Sequence, residues 1–452
     1  MIGEKKQVPY LAMEINTATK LILIARIAKE NKKKRFTALM HLLNAEYFYE
    51  CFKELKKRKA AGMDGRTVES YSEEEIKQIL DQTVTLIKQK KYHPRPVRSV
   101  DIAKGNGKIR RLGIPTVVDK VVQLAITKIL KVMYEPNFLE VSYGYRPGKD
   151  AHRCLKVINH MIMQKKVNWI IDADISGFFE NIDHTWLVKC LEQRIKDPNF
   201  KSLILRFLKA GIMQDNIKEE TEKGTPQGGI ISPVLANMYL HYVLDLWFEK
   251  QEKKKMIGYI ELIRYADDFV IGAQHAEEAK QILIDLQERL KKFGLSLSQE
   301  KTKIIEFGRF ARENHIKQGK RKPDTFDFLG FTHYCSQTQD GRFMVKVETS
   351  RKRLNKAVMG MNAWLKSVRN QKQLKEFLPV LKVKLVGHYN YYGISGNLEG
   401  IRQYYQQTKR LLFKWTNRRS QKKSWSWESF ERHLVLHPIP EPKLTYALYH
   451  TW

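Results

Sequence analysis

Tyr265-Ala266-Asp267-Asp268 lies between two short apolar runs, 259–263 and 269–271. That pattern predicts two β-strands joined by a tight turn. The turn then carries adjacent carboxylates at its tip. Carboxylates this close repel, so a site that keeps both ionised needs a cation beside them. Divalent metals on oxygen ligands meet that need, and Mg²⁺ is the usual ion where the substrate is a phosphate. The alternative is a solvated hairpin turn, in which Asp is common. The decision rests on the rest of the chain.

Charge narrows the partners. The 452 residues hold 81 Lys plus Arg against 49 Asp plus Glu, a net charge of +32. Such an excess is costly by self-repulsion unless a polyanion is bound, which points to nucleic acid before an anionic membrane. No run of 18 apolar residues predicts a transmembrane helix. The stretch Leu21-Ile22-Leu23-Ile24-Ala25 is too short and too late for a signal peptide. Cys51, Cys154, Cys190 and Cys335 are far apart and lack zinc-ligand spacing. Buried reduced thiols in a cytoplasmic protein are the expectation.

Three further segments bear on the chemistry. Trp169-Ile170-Ile171-Asp172-Ala173-Asp174-Ile175 is an apolar strand ending in acid. Asp174 reads either as a cap residue or as a metal ligand that joins Asp267 and Asp268 across a sheet. Phe178 and Phe179 follow, and Asp183 is the expected N-cap of a helix over 186–195. The segment Gly224-Thr225-Pro226-Gln227-Gly228-Gly229-Ile230-Ile231-Ser232-Pro233 forces a loop with open backbone, and a helix follows over 234–246. Residues 104–112 read as a basic hairpin with a glycine-rich turn. Helical spacing recurs over 66–90, 119–134 and 276–293, the last stopped by Gly294. Residues 295–305 read as extended, and Phe328-Leu329-Gly330-Phe331 as a short apolar strand.

From Thr349 onward the chain carries 20 Lys plus Arg against 5 Asp plus Glu. Helical spacing covers 350–369, 372–386 and 398–418, with aromatics among the basic residues. Many of these aromatics belong to a core. Arg418-Arg419-Ser420-Gln421-Lys422-Lys423 is polar throughout and does not. This predicts a basic helical domain for an extended polyanion. The domains expected are a basic helical extension over 1–60, a central region over 61–340 and a helical region over 341–452.

Taken in order, the motifs resemble those of group II intron reverse transcriptases, also called intron-encoded maturases. They run from Ala61-Gly62-Met63-Asp64-Gly65 through Arg110-Arg111-Leu112-Gly113-Ile114-Pro115-Thr116 to Ser142-Tyr143-Gly144-Tyr145-Arg146-Pro147. Asp174-Ile175-Ser176-Gly177-Phe178-Phe179, the loop over 224–233, Tyr265-Ala266-Asp267-Asp268 and Phe328-Leu329-Gly330-Phe331 complete the set. The chain departs from the common pattern at Lys149, Asp150 and Glu180.

The resemblance implies an α/β (α+β) right-hand polymerase. Its fingers and palm would combine an antiparallel sheet with helices, and its α-helical thumb is called domain X. The implied activity is RNA-directed DNA polymerase, with binding of group II intron RNA, help in its splicing and retrohoming into target DNA. The implied ligands of two Mg²⁺ ions, which Mn²⁺ can replace, are the catalytic residues Asp174, Asp267 and Asp268. Lys104, Arg110 and Lys301 would hold the triphosphate of a dNTP. Phe179, or alternatively Phe178, would exclude a sugar 2′-hydroxyl. Gln227, Gly228 and Gly229 would line nucleotide and template. Phe328, Leu329 and Gly330 would hold the DNA primer on its RNA template, and Arg418, Arg419 and Lys422 would contact RNA. An HNH endonuclease is not expected. A maturase without polymerase chemistry, a viral-type RNA polymerase and a relative in host use are the rival readings. Tyr265-Ala266 and Phe179 argue against the second of these.

Overall fold

Helix starts in this chain are set by capping side chains. Asn44, Ser72, Thr116, Asp150 and Asp183 each accept a hydrogen bond from a backbone N–H of the first helical turn, which satisfies a donor that the helix itself cannot. Asp183 accepts from Trp186 N at 2.9 Å, as its sequence position predicts, and the helix runs His184–Glu192. Asp150, one of the departures from the family pattern, caps the helix Ala151–Gln164 by accepting from Arg153 N at 2.8 Å.

The structure is a computed structural model that describes residues 16–105, 108–214, 217–219, 223–225, 228–419 and 424–449. Within these, the side chains of 103–105, 108–110, 214 and 217–219 are not described. In chain order the strands are β1 (Val97–Gly105), β2 (Lys108–Ile114), β3 (Trp169–Asp174), β4 (Ile212–Gln214), β5 (Ile217–Glu219), β6 (Ile260–Tyr265), β7 (Asp268–Ala273), β8 (Lys303–Glu306), β9 (Phe326–Phe328), β10 (Phe331–Gln337) and β11 (Phe343–Thr349). The chain divides into two compact units: residues 1–140, 175–247 and 287–296, and residues 141–174, 248–286 and 297–452.

The first unit is organised around the helix Val117–Tyr134. Val121, Val122, Ala125, Ile126, Ile129, Leu130 and Met133 of this helix are fully buried. Each of these Val, Ile, Leu and Met side chains gains ~1.5–3 kcal/mol over exposure. Helices Thr17–Glu30, Ala45–Glu54 and Ser232–Leu240 pack on it. The basic hairpin is present as β1 and β2, in a sheet of order β2-β1-β4-β5 in which β1 and β4 run parallel. The helix expected over 234–246 begins at Ser232 and passes into π geometry at His241–Asp245.

The second unit holds an antiparallel sheet of order β6-β7-β3-β8 and a second antiparallel sheet of order β11-β10-β9. Their shared core includes Ile158, Ile170, Ile263, Val270, Phe307, Phe331 and Val345. Helices Arg351–Val368, Leu374–Tyr392, Leu398–Thr416 and Trp427–Leu436 follow. They close a separate core around Leu365, Leu381, Leu385, Ile401, Leu412 and Phe430. This mixed class, antiparallel sheets with helices and a helical C-terminal region, is the one expected.

Several local expectations differ from the structure. Phe328 to Phe331 is two strand ends and a turn, because Leu329 and Gly330 take φ of +50° and +85° and reverse the chain. An apolar run of four reads as a strand whichever way it bends. Residues 343–349, placed by sequence with the helices, form β11. Of 295–305, only the last three residues lie in a strand. The helix expected to end at 386 continues through Gly387 to Tyr392, where Tyr389 is buried. The helix Trp427–Leu436 was not expected.

Candidate active site

The site begins with strand register. β3 and β7 pair antiparallel with Asp174 directly opposite Asp268. Directly opposed residues place their side chains on one face of a sheet, so residues 94 apart in sequence put two carboxylates side by side. Asp267 comes from the turn that joins β6 to β7. That hairpin is closed by the Tyr265–Asp268 pair, which leaves Ala266 and Asp267 as its two-residue loop. Asp172, two residues before Asp174, shares the same face by the period of the strand.

The crowding has an electrostatic cost. Burial, then repulsion from Asp267 and Asp174, pushes the Asp268 carboxyl up to about 6, against the pull of Lys301 and Arg353. Asp268 keeps an exposed surface, so repulsion between the carboxylates is the more telling cause. Burial, then Asp268, Asp327 and Asp174, pushes Asp172 up to about 7. Lys301 Nζ lies 2.7 Å from Asp174 Oδ2, with the lysine largely in solvent. The segment that carries Lys301 is tied down beside Asp174, because Ser298 N donates to Asp174 O at 2.8 Å.

The family to which these motifs point uses divalent metal ions. Three hard carboxylate donors, with Asp268 held up by repulsion that a cation would relieve, suit such an ion. Among the described residues no three His, Cys, Asp or Glu side chains already stand close enough to chelate one. An ion would draw the carboxylates together.

The other predicted residues fall into separate places. In the first unit, the loop that begins at Gly224 is bonded to the Phe179 segment. Thr225 N donates to Phe179 O at 2.7 Å, and Gly224 N to Ile182 O at 2.8 Å. Phe178 is core and packs on Tyr239, while Phe179 keeps slightly more surface. Gly228 reaches the end of β2. It has φ +111°, and a Cβ there would stand 2.5 Å from Gly113 O, so only glycine fits this approach. Gly229 O accepts from Ser232 N at the helix start. Gln227 and Lys422 lie outside the described residues, as do the side chains of Lys104 and Arg110.

In the second unit, Phe328 is buried, and the turn presents Leu329 and Gly330. Tyr391 Oη donates to Leu329 O at 2.8 Å. Arg419 donates to Lys372 O at 2.9 Å, and Arg418 lies over the Trp415 ring at 5.7 Å. Sequence reasoning passed over Asp172, Arg264 and Arg353. Arg264 offered a signal, as a lone cation inside the apolar run Ile260–Tyr265. Asp172 offered a weaker one, as a charge inside an apolar strand.

The cysteines are free, three buried and Cys335 half-buried. No helix of the described residues is long and apolar enough to cross a membrane.

A family model described as "Reverse transcriptase (RNA-dependent DNA polymerase)" matches residues 102–333. The chain is 36% identical over 317 residues to "Group II intron-encoded protein LtrA" of Lactococcus lactis subsp. cremoris, across 67% of this chain and 52% of that protein. It is 29% identical over 314 residues to "Protein YkfC" of Escherichia coli (strain K12), across 62% of this chain and 77% of that one. It is 27% identical over 376 residues to "Putative COX1/OXI3 intron 2 protein" of Saccharomyces cerevisiae, across 70% and 40%. The chain thus spans about half the length of the Lactococcus relative.

Proposed function

This chain belongs to the reverse transcriptase family, of the kind encoded by group II introns, and from that premise we propose that it extends a DNA primer on an RNA template. The observation that carries the reading is the register of Asp174 against Asp268 beside the Asp267 turn. It gathers the carboxylates that nucleotidyl transfer needs onto one end of one sheet.

Asp174, Asp267 and Asp268 would hold two Mg²⁺ ions, which Mn²⁺ could replace. When bound, these supply Lewis acidity to the primer 3′-hydroxyl and neutralise triphosphate charge. The chain's own residues do the rest. The sheet fixes the strands that carry the carboxylates before substrate arrives, so that only their side chains must draw in around the ions. Lys301 holds Asp174 and adds a cation for the triphosphate, with Lys104 and Arg110. Phe179 would exclude a ribose 2′-hydroxyl and so select dNTPs. Gln227, Gly228 and Gly229 line nucleotide and template, and the Phe328-Leu329-Gly330 turn seats the primer end.

The helical region after Thr349, with its 20 basic against 5 acidic residues, tracks RNA through phosphates and 2′-hydroxyls. Arg418, Arg419 and Lys422 contribute to it. The same surface binds group II intron RNA, assists its splicing and supports retrohoming into target DNA.

Primer extension on an RNA template with dNTPs and Mg²⁺ tests the reading. Full-length DNA from the wild type, none from Asp267→Ala and none with EDTA is the expected result. Intact RNA binding without product from the wild type would leave an RNA-binding maturase and end the polymerase reading. RNA affinity should also fall steeply between 50 and 200 mM salt, by ~10³-fold or more for six or more phosphate contacts.

A further inference from the structure

Arg264 is fully buried, inside the strand that leads into the carboxylate turn. It pairs across the hairpin with Phe269, one position from Asp268, so its side chain leaves the sheet on the face opposite Asp268. From there its Nη1 donates to the carbonyl of Ala266 at 2.7 Å. That carbonyl belongs to the peptide between Ala266 and Asp267, so the guanidinium fixes the plane from which the Asp267 side chain departs.

The turn it grips is strained. Ala266 has φ +59°, a left-handed conformation that an L-residue avoids. Two further contacts hold it there. Residues 141–143 run along the free edge of β6, where Arg264 N donates to Val141 O and Tyr143 N to Arg264 O, each at 2.8 Å. Buried Arg146 braces this segment by donating to Ser142 O at 2.7 Å. The segment then brings Gly144 against the turn, where a Cβ would stand 2.4 Å from Ala266 N. The motif Ser142-Tyr143-Gly144-Tyr145-Arg146-Pro147 is thus the outer wall of the carboxylate turn. A desolvated guanidinium is costly, and an apolar side chain of like volume is the ordinary occupant of a buried strand position. What the arginine adds is the fixed geometry of one peptide.

We propose that Arg264 is a positioning residue for nucleotide addition: from behind the sheet, with Gly144 as the wall, it sets where the Asp267 and Asp268 carboxylates meet a divalent ion. The inference rests on the polymerase reading, and its test separates the two. The probe is Mn²⁺ binding to the full chain without nucleic acid, read by electron paramagnetic resonance, beside single-nucleotide addition on a primed RNA template. The variants are Arg264→Met, Arg264→Lys and Gly144→Ala, with Asp267→Asn to identify the site.

Arg264→Met should weaken Asp267-dependent Mn²⁺ binding ~10-fold or more, as loss of a partner behind the ligands does. Its kcat should fall ~100-fold, the scale of a small misplacement of reacting groups. KM for dNTP and template–primer affinity should stay within ~2-fold, because uniform binding is untouched. Arg264→Lys should lie between Met and wild type, and Gly144→Ala should reproduce the effect without altering a charge. If Arg264→Met fails to fold, the Lys and Gly144→Ala variants carry the test. Wild-type Mn²⁺ binding in the folded variants overturns the proposal. So does a fall in kcat that merely follows the folded fraction and template affinity. A wild type that binds Mn²⁺ through Asp267 yet copies no RNA would end the polymerase reading, and the Mn²⁺ comparison would still decide Arg264.

Discussion

Two hairpins in the second unit solve one backbone problem by different means. The turn between β6 and β7 and the turn between β9 and β10 each have two loop residues, and each puts a non-glycine side chain at positive φ, Ala266 at +59° and Leu329 at +50°. The first is held by a buried guanidinium and a packed glycine. The second is held by a phenol, Tyr391 Oη on Leu329 O, and follows its strained leucine with Gly330 at φ +85°. The first turn carries repelling carboxylates and has its carbonyl gripped by an ionised donor, the stronger kind of hydrogen bond. The second carries no charge at its tip and makes do with neutral bonds, the phenol and Ser350 N on Gly330 O at 3.0 Å. The difference teaches that bracing scales with what a turn must hold against.

The largest expected effect follows from filling the wall of the first turn. Gly144→Ala places a methyl 2.4 Å from Ala266 N, where backbone and not a flexible side chain must yield. Overpacking of this kind costs ~1–3 kcal/mol, and displacement of the carboxylates should lower nucleotide addition ~100-fold. Thermal unfolding and single-turnover kinetics on one preparation would separate the two. A large stability loss with wild-type turnover in the folded fraction would break the comparison.

The next effect belongs to the second hairpin and depends on pH. His333 in β10 is fully buried, stacks on Phe326 with ring centroids 4.6 Å apart, and has no hydrogen-bond partner for either ring nitrogen among the described residues. Burial lowers its pKa to about 3 from an ordinary 6.5. The unfolded chain therefore binds the proton that the folded chain refuses. The stabilisation is fully present above pH 6.5 and is lost as pH falls from 6.5 toward 3. From pH 7.5 to 5.5 the loss from this group is ~1.4 kcal/mol. His333→Leu should remove that part of the pH dependence, measured by denaturant unfolding at both values. An unchanged slope would show that His333 is not the group responsible.

The two hairpins also mark what the sequence could tell. The first was legible because Asp267-Asp268 sits between apolar runs of strand length, and Asp174 ends another. The register itself was not legible, because β7 is buried on both faces after Asp268 and its apolar run does not alternate. The second was misread as a strand, because Phe328-Leu329-Gly330-Phe331 is apolar throughout and positive φ at leucine leaves no mark in composition. Gly144 was visible as part of a motif, but its role was not. The reason lies in its contact with Ala266, 122 positions away, and close approach of two backbones is a tertiary fact. Arg264 was readable only as an anomaly, a cation where the strand pattern calls for an apolar residue.

Tyr391→Phe removes the phenol bond and keeps the ring, which stacks on Phe331 at 5.8 Å. The loss should be ~1 kcal/mol, the net worth of a neutral hydrogen bond. It should leave Mn²⁺ binding at the carboxylates unchanged. A change in metal binding equal to that of Arg264→Met would mean that the two turns are coupled.

The smallest effect sharpens the comparison most, because it exchanges strain for freedom at matched positions. Ala266→Gly relieves a left-handed alanine, a gain of ~1 kcal/mol, and gives back part of it through the greater freedom of glycine in the unfolded chain. Ala266 has little side chain to lose, so the net should be a stabilisation under ~1 kcal/mol. Leu329→Gly relieves the same strain, but Leu329, like Tyr391, packs against the core that holds Phe331. Loss of that contact outweighs the relief, so this variant should be destabilised. Opposite signs in equilibrium unfolding would show that the first turn is held at its strained φ by Arg264 and Gly144, with its own side chain contributing little. They would show equally that the second turn is held by the side chain at its tip. Equal signs would mean that local backbone preference outweighs the bracing at both turns.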